Sequence, residues 1–193
     1  ATSTATSTAT STATSTATST ATTTPTSTYD PRIVTAAPVS AKSIGHTSVV
    51  FKVKLEGDLA VVFKPRSQRG HRRYRGEIGA YRLAKALGLE AAVPPALYRP
   101  LDAAKLRAAL LASGGAELFD KEAVIDKDGT VPGSIVPWVD KLEFLPLESE
   151  PWSSRWKGWL KKGAAIPDDQ RALAAQISTM VVFDLLTGNW DRW

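Results

Sequence analysis

Apolar and polar positions alternate over residues 49–55 (Val-Val-Phe-Lys-Val-Lys-Leu), and a second apolar run fills residues 59–63. Glu56, Gly57 and Asp58 lie between them and tolerate turn conformations, so the pattern predicts a β-hairpin. The period then changes. Residues 76–89 carry apolar side chains three and four apart and stop short of Pro94 and Pro95, which predicts a helix ending before the chain is forced extended. A second helix is predicted over 102–113, with Asp102 as its N-cap and Gly114-Gly115 as its stop. Residues 134–139 read as extended, with Pro137 suited to an edge or a hinge. Trp152, Trp156, Trp159 and Leu160 recur at helical spacing, and a long helix is predicted from an Asp168 cap through Leu186 to a break at Gly188. Strands come first and helices after, so the expected fold class is α+β, with a small sheet-bearing lobe and a helical lobe.

Residues 1–28 stand outside this pattern, being Ala, Thr and Ser with one Pro, in repeats of Ala-Thr-Ser-Thr. Lacking any large apolar side chain, they cannot offset the entropy of ordering, and we expect a low-complexity disordered leader. That leaves 165 of 193 residues to fold, and all 43 charged side chains lie among them with a net charge of +5. The chain has no cysteine, which excludes a disulfide framework, Cys-based zinc sites and thiol catalysis, and His46 and His71 are its only histidines, too few for a multi-His metal site. No apolar run approaches the roughly 20 residues of a spanning helix, and no secretory hydrophobic region precedes the Thr-rich tract. The Ala start and the polar ending at Trp193 lead us to expect a processed or partial chain.

Three clusters carry candidate chemistry. Stepping about 100° per residue along the helix at 76–89 puts Tyr81, Ala84, Leu87, Ala80 and Leu83 on one arc, and Glu77 falls inside it. A carboxylate on an apolar side needs a cation, and Lys64, which ends the apolar strand, is the nearest. A strand lysine paired to a helix glutamate is the arrangement that holds nucleotide phosphates in kinases. The other reading has Glu77 favoured by the helix macrodipole, with Lys64 snorkelling at a strand end. Upstream, residues 43–48 (Ser-Ile-Gly-His-Thr-Ser) sit where a phosphate-cradling turn belongs: Gly45 would let the backbone approach and Ser48 would donate. An ordinary strand-entry turn has the same composition. Downstream, residues 181–192 (Val-Val-Phe-Asp-Leu-Leu-Thr-Gly-Asn-Trp-Asp-Arg) read as a buried helix end emptying into a polar loop. Asp191 there could accept a hydroxyl proton while Asn189 and Arg192 fix the loop; a helix cap followed by solvated residues is the alternative.

Together and in this order, Phe63-Lys64-Pro65, the run Gly76-Glu77-Ile78-Gly79-Ala80-Tyr81-Arg82-Leu83 with Val93-Pro94-Pro95, and the stretch from Phe183 to Arg192 resemble the atypical secretory-pathway kinases. That family includes the Golgi casein kinase, the xylosyl kinase of proteoglycan linkers and Four-jointed. The Asn-x-Asp-Arg loop is shared in looser form with HipA-type and phosphatidylinositol 4-kinases. The resemblance runs over about 43–193 and implies a protein-kinase-like fold: an N-lobe over 29–139 up to the hinge, and over 140–193 the first part of a helical C-lobe ending in the catalytic loop. It implies that Lys64 contacts ATP phosphates, that Glu77 pairs with it or approaches an Mg²⁺ or Mn²⁺ ion, and that Trp138 lies at the nucleotide's hinge. Asp191 would be the catalytic aspartate, with Asn189 and Arg192 shaping its loop. The main acidic metal ligand is expected beyond Trp193, so 1–193 alone is expected to be nearly inactive. The acceptor implied is a protein Ser/Thr hydroxyl, with a sugar or lipid hydroxyl as alternative. The lack of cysteine points to a bacterial relative, in the cytoplasm, in the cell envelope or secreted.

Between Lys64 and Glu77 lie Arg66, Arg69, His71, Arg72, Arg73 and Arg75. Such a stretch could grip phosphate or acidic substrate groups at the nucleotide site. With only Tyr74 interleaved as a stacking residue, nucleic acid is disfavoured as a partner. Trp152, Trp156 and Trp159, flanked by Arg155, Lys157, Lys161 and Lys162, fit a helix packed on the helical lobe better than one lying in a membrane interface. A non-catalytic nucleotide- or polyanion-binding module is the rival from a different functional class.

Overall fold

The structure is a computed structural model that describes residues 29–45, 47–142 and 145–189. The Ala/Thr/Ser leader, His46 and the loop residues Asp191 and Arg192 lie outside the described residues. A 3-10 turn (Pro31–Val34) precedes strands β1 (Pro38–Ser43), β2 (Phe51–Leu55) and β3 (Leu59–Pro65). Then come helix α1 (Tyr74–Ala86), short strands β4 (Leu97–Tyr98) and β5 (Leu101–Asp102), helices α2 (Ala103–Leu111) and α3 (Ala116–Glu122), and strands β6 (Thr130–Val131) and β7 (Gly133–Pro137). Helix α4 (Trp152–Trp159), a second 3-10 turn (Asp168–Gln170) and helix α5 (Arg171–Thr187) follow. Five strands form one antiparallel sheet in the order β1-β2-β3-β7-β4, and β5 pairs with β6 apart from it. The α+β class expected from the order of elements is the one observed.

The predicted hairpin is β2 and β3, with Leu55 opposite Leu59 and left-handed backbone at Gly57 (φ 77°) and Asp58 (φ 59°). Alternation gives the sheet two unlike faces. Phe51, Val53 and Leu55 of β2, Val61 and Phe63 of β3, and Ile135 of β7 are buried on one. Helix α2 packs on β1 over this face, bringing Leu106 and Leu110, and Phe119 of α3 meets Phe51 at 6.3 Å between ring centroids. Asp102 caps α2 as predicted, accepting from the Lys105 N–H at 2.8 Å. The other face carries Lys52, Ala60, Val62, Lys64, Ser134 and Val136 in mutual register, and α1 packs against β7 and β4. β7 is interior to the sheet, yet it tolerates Pro137. The Trp138 N–H turns to the Ala60 carbonyl of β3, so position 137 faces the other side, where the two-residue β4 has already ended.

Helix α1 begins two residues before the predicted start and stops at Ala86, because Gly88 takes a left-handed φ of 69° and the Leu89 N–H closes back on the Ala84 carbonyl. Its buried line is Tyr74, Ile78, Tyr81 and Ala84, whereas Leu87, placed on the apolar arc by periodicity, is exposed. The sheet edge sets the packing face, and it lies about one step around from the predicted arc. The long helix also departs from expectation. Asp168 does not cap it; it starts a 3-10 turn and pairs with Arg171 at 2.8 Å, and α5 begins behind Gln170 without a side-chain cap. The supposedly buried end of α5 is inverted: Asp184 is buried while Val182, Leu185 and Leu186 are exposed. Of the described elements, α5 has its helix contacts with α1 and α4, which leaves those apolar positions uncovered.

The β3–α1 loop is locked rather than free. The Arg66 N–H bonds to the Pro132 carbonyl, Gln68 N–H to Glu122 and Val124 N–H to Arg66, so strand-like pairing continues past Pro65. Arg66 forms an ion pair with Asp126, and Arg69 pairs with Glu122 at 2.7 Å, where the Glu122 carboxylate is largely buried. That arginine hydrogen bond holds Glu122 below its ordinary carboxylate value. Arg99, buried beneath the first 3-10 turn, donates to the Ile33 and Ala36 carbonyls and pins that turn to the sheet.

Two outcomes follow from this packing. A Cβ on Gly133 would lie 2.5 Å from the Phe63 ring and 2.6 Å from the Lys64 carbonyl, so Gly133→Ala should lower stability by about 1–3 kcal/mol in denaturant titrations; a neutral result would mean that β3 and β7 are less closely apposed. Glu122, with its pKa depressed in the folded chain, contributes stability that is full above its ordinary value of 4.5 and is lost as pH falls through the lower folded value. The difference in melting temperature between wild type and Glu122→Gln should therefore be largest near neutral pH and shrink on acidification below about 4.5, measured by thermal melts across pH.

Candidate active site

Where β3 leaves the sheet, a cleft of about 240 Å³ opens between the 47–49 turn, the end of β3, the β3–α1 loop and the first turn of α1. Lys64 and Glu77 meet in it. Phe63 must face the core, so alternation sends Lys64 to the opposite face, and Glu77 in the first turn of α1 is carried over that face. The Lys64 ammonium donates to Glu77 Oε1, the two side chains being 27% and 42% exposed. Neither is deep enough for burial alone to demand a partner. The pair therefore contributes little to stability, about 0–1 kcal/mol, but it fixes where the ammonium points.

Ser48 lines the cleft opposite them, with Thr47 and Val49 beside it. Gly45 does not line it. An added Cβ there would overlap the Ser48 carbonyl, so the missing side chain lets the turn fold back on itself, closed by the Ile44 N–H on Val50. Gly45 thus shapes the turn that presents Ser48. Trp138 is also outside the cleft. Its ring lies 3.5 Å under the Lys52 ammonium and its Nε1 donates to Asp140 at 3.0 Å. It shares a face with Lys64, and the half-buried Ala60, Val62 and Val136 lie between, forming an apolar shelf with an aromatic edge at one end and the cationic cleft at the other. Four residues of β3 separate the two ends, roughly 13 Å along the strand.

Asn189 follows the α5 stop at Gly188, whose φ is 64°. Its backbone N–H donates to the Asp184 carbonyl at 2.9 Å and its Nδ2 to Asp184 Oδ1 at 2.8 Å, a two-point anchor on a residue only 3% exposed. Asp184 was not foreseen as a functional residue. An aspartate inside an otherwise apolar helix end was the available signal. Arg73, Ser67 and Gly70 also line the cleft without having been singled out for it, although Arg73 belongs to the noted basic stretch.

The cleft's lining thus includes two cations, one carboxylate and three hydroxyls, a donor set suited to phosphate oxygens. It suits a divalent metal poorly. Mg²⁺ and Mn²⁺ require several oxygen ligands in ordered geometry, whereas Glu77 is the one carboxylate lining the cleft and already accepts from Lys64. No group of three or more His, Asp or Glu among the described residues is placed to hold a metal ion. No described helix is long and apolar enough to cross a membrane.

No family model matches the chain, and no curated protein matches it. Among solved structures the chain is similar to two of the Golgi casein kinase, one of them with Mn/ADP bound. Each is 16% identical with a TM-score of 0.43 over 57% of this chain, and the match spans about a third of each kinase chain, 34% and 33%.

Proposed function

We propose that the chain binds the phosphates of ATP in the cleft at Lys64 and Glu77 and belongs to a phosphotransferase acting on Ser/Thr hydroxyls of a protein. The observation that carries this reading is the Lys64–Glu77 pair itself, a strand lysine aimed by a helix glutamate into a polar cleft beside an apolar shelf. On this reading 29–139 is the nucleotide-binding lobe and 140–193 supplies the catalytic loop. Lys64 holds phosphate oxygens, Glu77 fixes the direction of its ammonium, and Ser48 donates from the turn that Gly45 permits. The base lies along Val62 and Val136 toward Trp138, where Lys52 now covers the indole. Asp191 accepts the acceptor's hydroxyl proton as the oxygen attacks the terminal phosphorus and ADP leaves, with Arg192 shaping the loop and Asn189 anchored by Asp184. A metal ion would screen the phosphate charge during transfer. The described residues do not make its site, and no step above is assigned to it. The positive balance of the cleft favours a second reading, a non-catalytic polyanion-binding module.

The deciding experiment is a phosphotransfer assay with ATP against peptide and sugar acceptors, using a longer natural form, beside which 1–193 alone is expected to be nearly inactive. Incorporation into Ser/Thr, falling at least about 10²-fold in Asp191→Asn, is the expected result; turnover unaffected by that change would overturn the assignment. Glu77→Gln should weaken nucleotide binding by about tenfold while changing stability by under about 1 kcal/mol, read from calorimetric titration and thermal melts on the same samples. A large stability loss with unchanged binding would make the pair structural.

A further inference from the structure

The charges that line the cleft do not cancel, and among the lining residues the surplus sits on Arg73, while Arg72 of the same loop is exposed and outside the lining. Of the arginines in the β3–α1 loop, Arg66 is taken by Asp126 and Arg69 by Glu122. Lys64 is taken by Glu77. Arg73 lines the same cleft and forms no ion pair among the described residues. Its backbone is held in place, although the residue is exposed. Its N–H donates to the Gly70 carbonyl at 2.9 Å, and the Ser67 hydroxyl receives the Gly70 N–H at 2.9 Å, which leaves that hydroxyl's own proton to give. A Cβ on Gly70 would lie 2.8 Å from Ser67 Oγ and 3.9 Å from Arg73 Cδ, so the bare glycine keeps the loop tight against the arginine's stem. Arg73 is also the N-cap residue of α1, a 13-residue helix with no side-chain cap, so the positive end of the helix dipole adds to its charge.

We infer that Arg73 is a second phosphate anchor, and that it lets this cleft hold a di- or triphosphate through cations alone, without a metal ion in the binding step. The inference rests on the nucleotide reading above and deepens it. Two cations flank the cleft, one steered by Glu77 and one uncompensated, and Thr47 and Ser48 face them with hydroxyl donors. A guanidinium grips two oxygens of one phosphate at once, whereas the lysine acts as a point charge. Arg73 takes the outer phosphate group and Lys64 the inner one. A ligand with a single phosphate engages only one of them.

The test is calorimetric titration of the 193-residue chain with ADP and with inorganic tripolyphosphate, each in EDTA and in MnCl₂. Wild type, Arg73→Ala, Arg73→Lys and Arg82→Ala are compared, the last an exposed α1 arginine outside the cleft. Thermal melts confirm that each variant is folded. We expect both ligands to bind in EDTA, Arg73→Ala to weaken both by at least about tenfold, Arg73→Lys to recover part of the loss, and Arg82→Ala to bind like wild type. Equal binding by wild type and Arg73→Ala overturns the anchor, as does an Arg82→Ala loss as large as that of Arg73→Ala, which would mean diffuse charge attraction. Binding in MnCl₂ but not in EDTA overturns the cation-only inference while leaving the nucleotide reading intact. No binding of either ligand in either condition removes both.

Discussion

Strand β3 cannot satisfy the core and the cleft with the same residues, and its alternation resolves that conflict. Val61 and Phe63 turn inward to the layer formed with α2 and α3, which obliges Val62 and Lys64 to turn outward under α1. A register slip of one residue would exchange the two sets, burying an ammonium and exposing a phenyl ring. The register that forms the core therefore also delivers the site lysine. Gly133 guards this arrangement from the neighbouring strand, since no side chain fits between β7 and Phe63.

Around that strand the molecule places its remaining charges by fixing loops. The β3–α1 loop carries many positive groups over a short length, which would repel one another if left mobile. Ion pairs to Asp126 and Glu122 and backbone pairing to 122–124 give Arg66 and Arg69 structural places, leaving Arg73 on the cleft and Arg72 exposed outside it. The Gly45 turn plays a similar part on the opposite wall. It brings a hydroxyl forward by allowing its own backbone to approach within a distance that a side chain would forbid.

Much of this was legible in the chain, and the limits have physical causes. The hairpin was readable because β2 and β3 are long enough to show period two with a turn between them. β1 was not, since Ala41 is the one residue of that edge strand that is buried and no alternation marks it. β4, β5 and β6 are two residues each, and α3 has seven, too short to display a period. The Lys64–Glu77 pairing was readable from a costly carboxylate near an apolar arc, although the arc itself lay a step away. Contact with β7 and β4, more than the spacing of apolar side chains along α1, chooses which side of that helix is buried. Asp168 misled because an acidic residue before an apolar helix suits a cap, and here a 3-10 turn intervenes. The anchor of Asn189 on Asp184 depends on a left-handed turn at Gly188, which no pairwise spacing reveals.

Helix α1 touches β7, β4 and α5 together, and from its first turn Glu77 reaches Lys64. Helix α5 in turn carries, in its last turn, the carboxylate that accepts from Asn189. The cleft and the Asn189 anchor are therefore not independent parts. If α1 swings outward, the ammonium loses its guide and the helix that carries the loop anchor loses a neighbour in the same motion. Contact through α1 thus joins the Lys64–Glu77 pair to the helix that anchors Asn189.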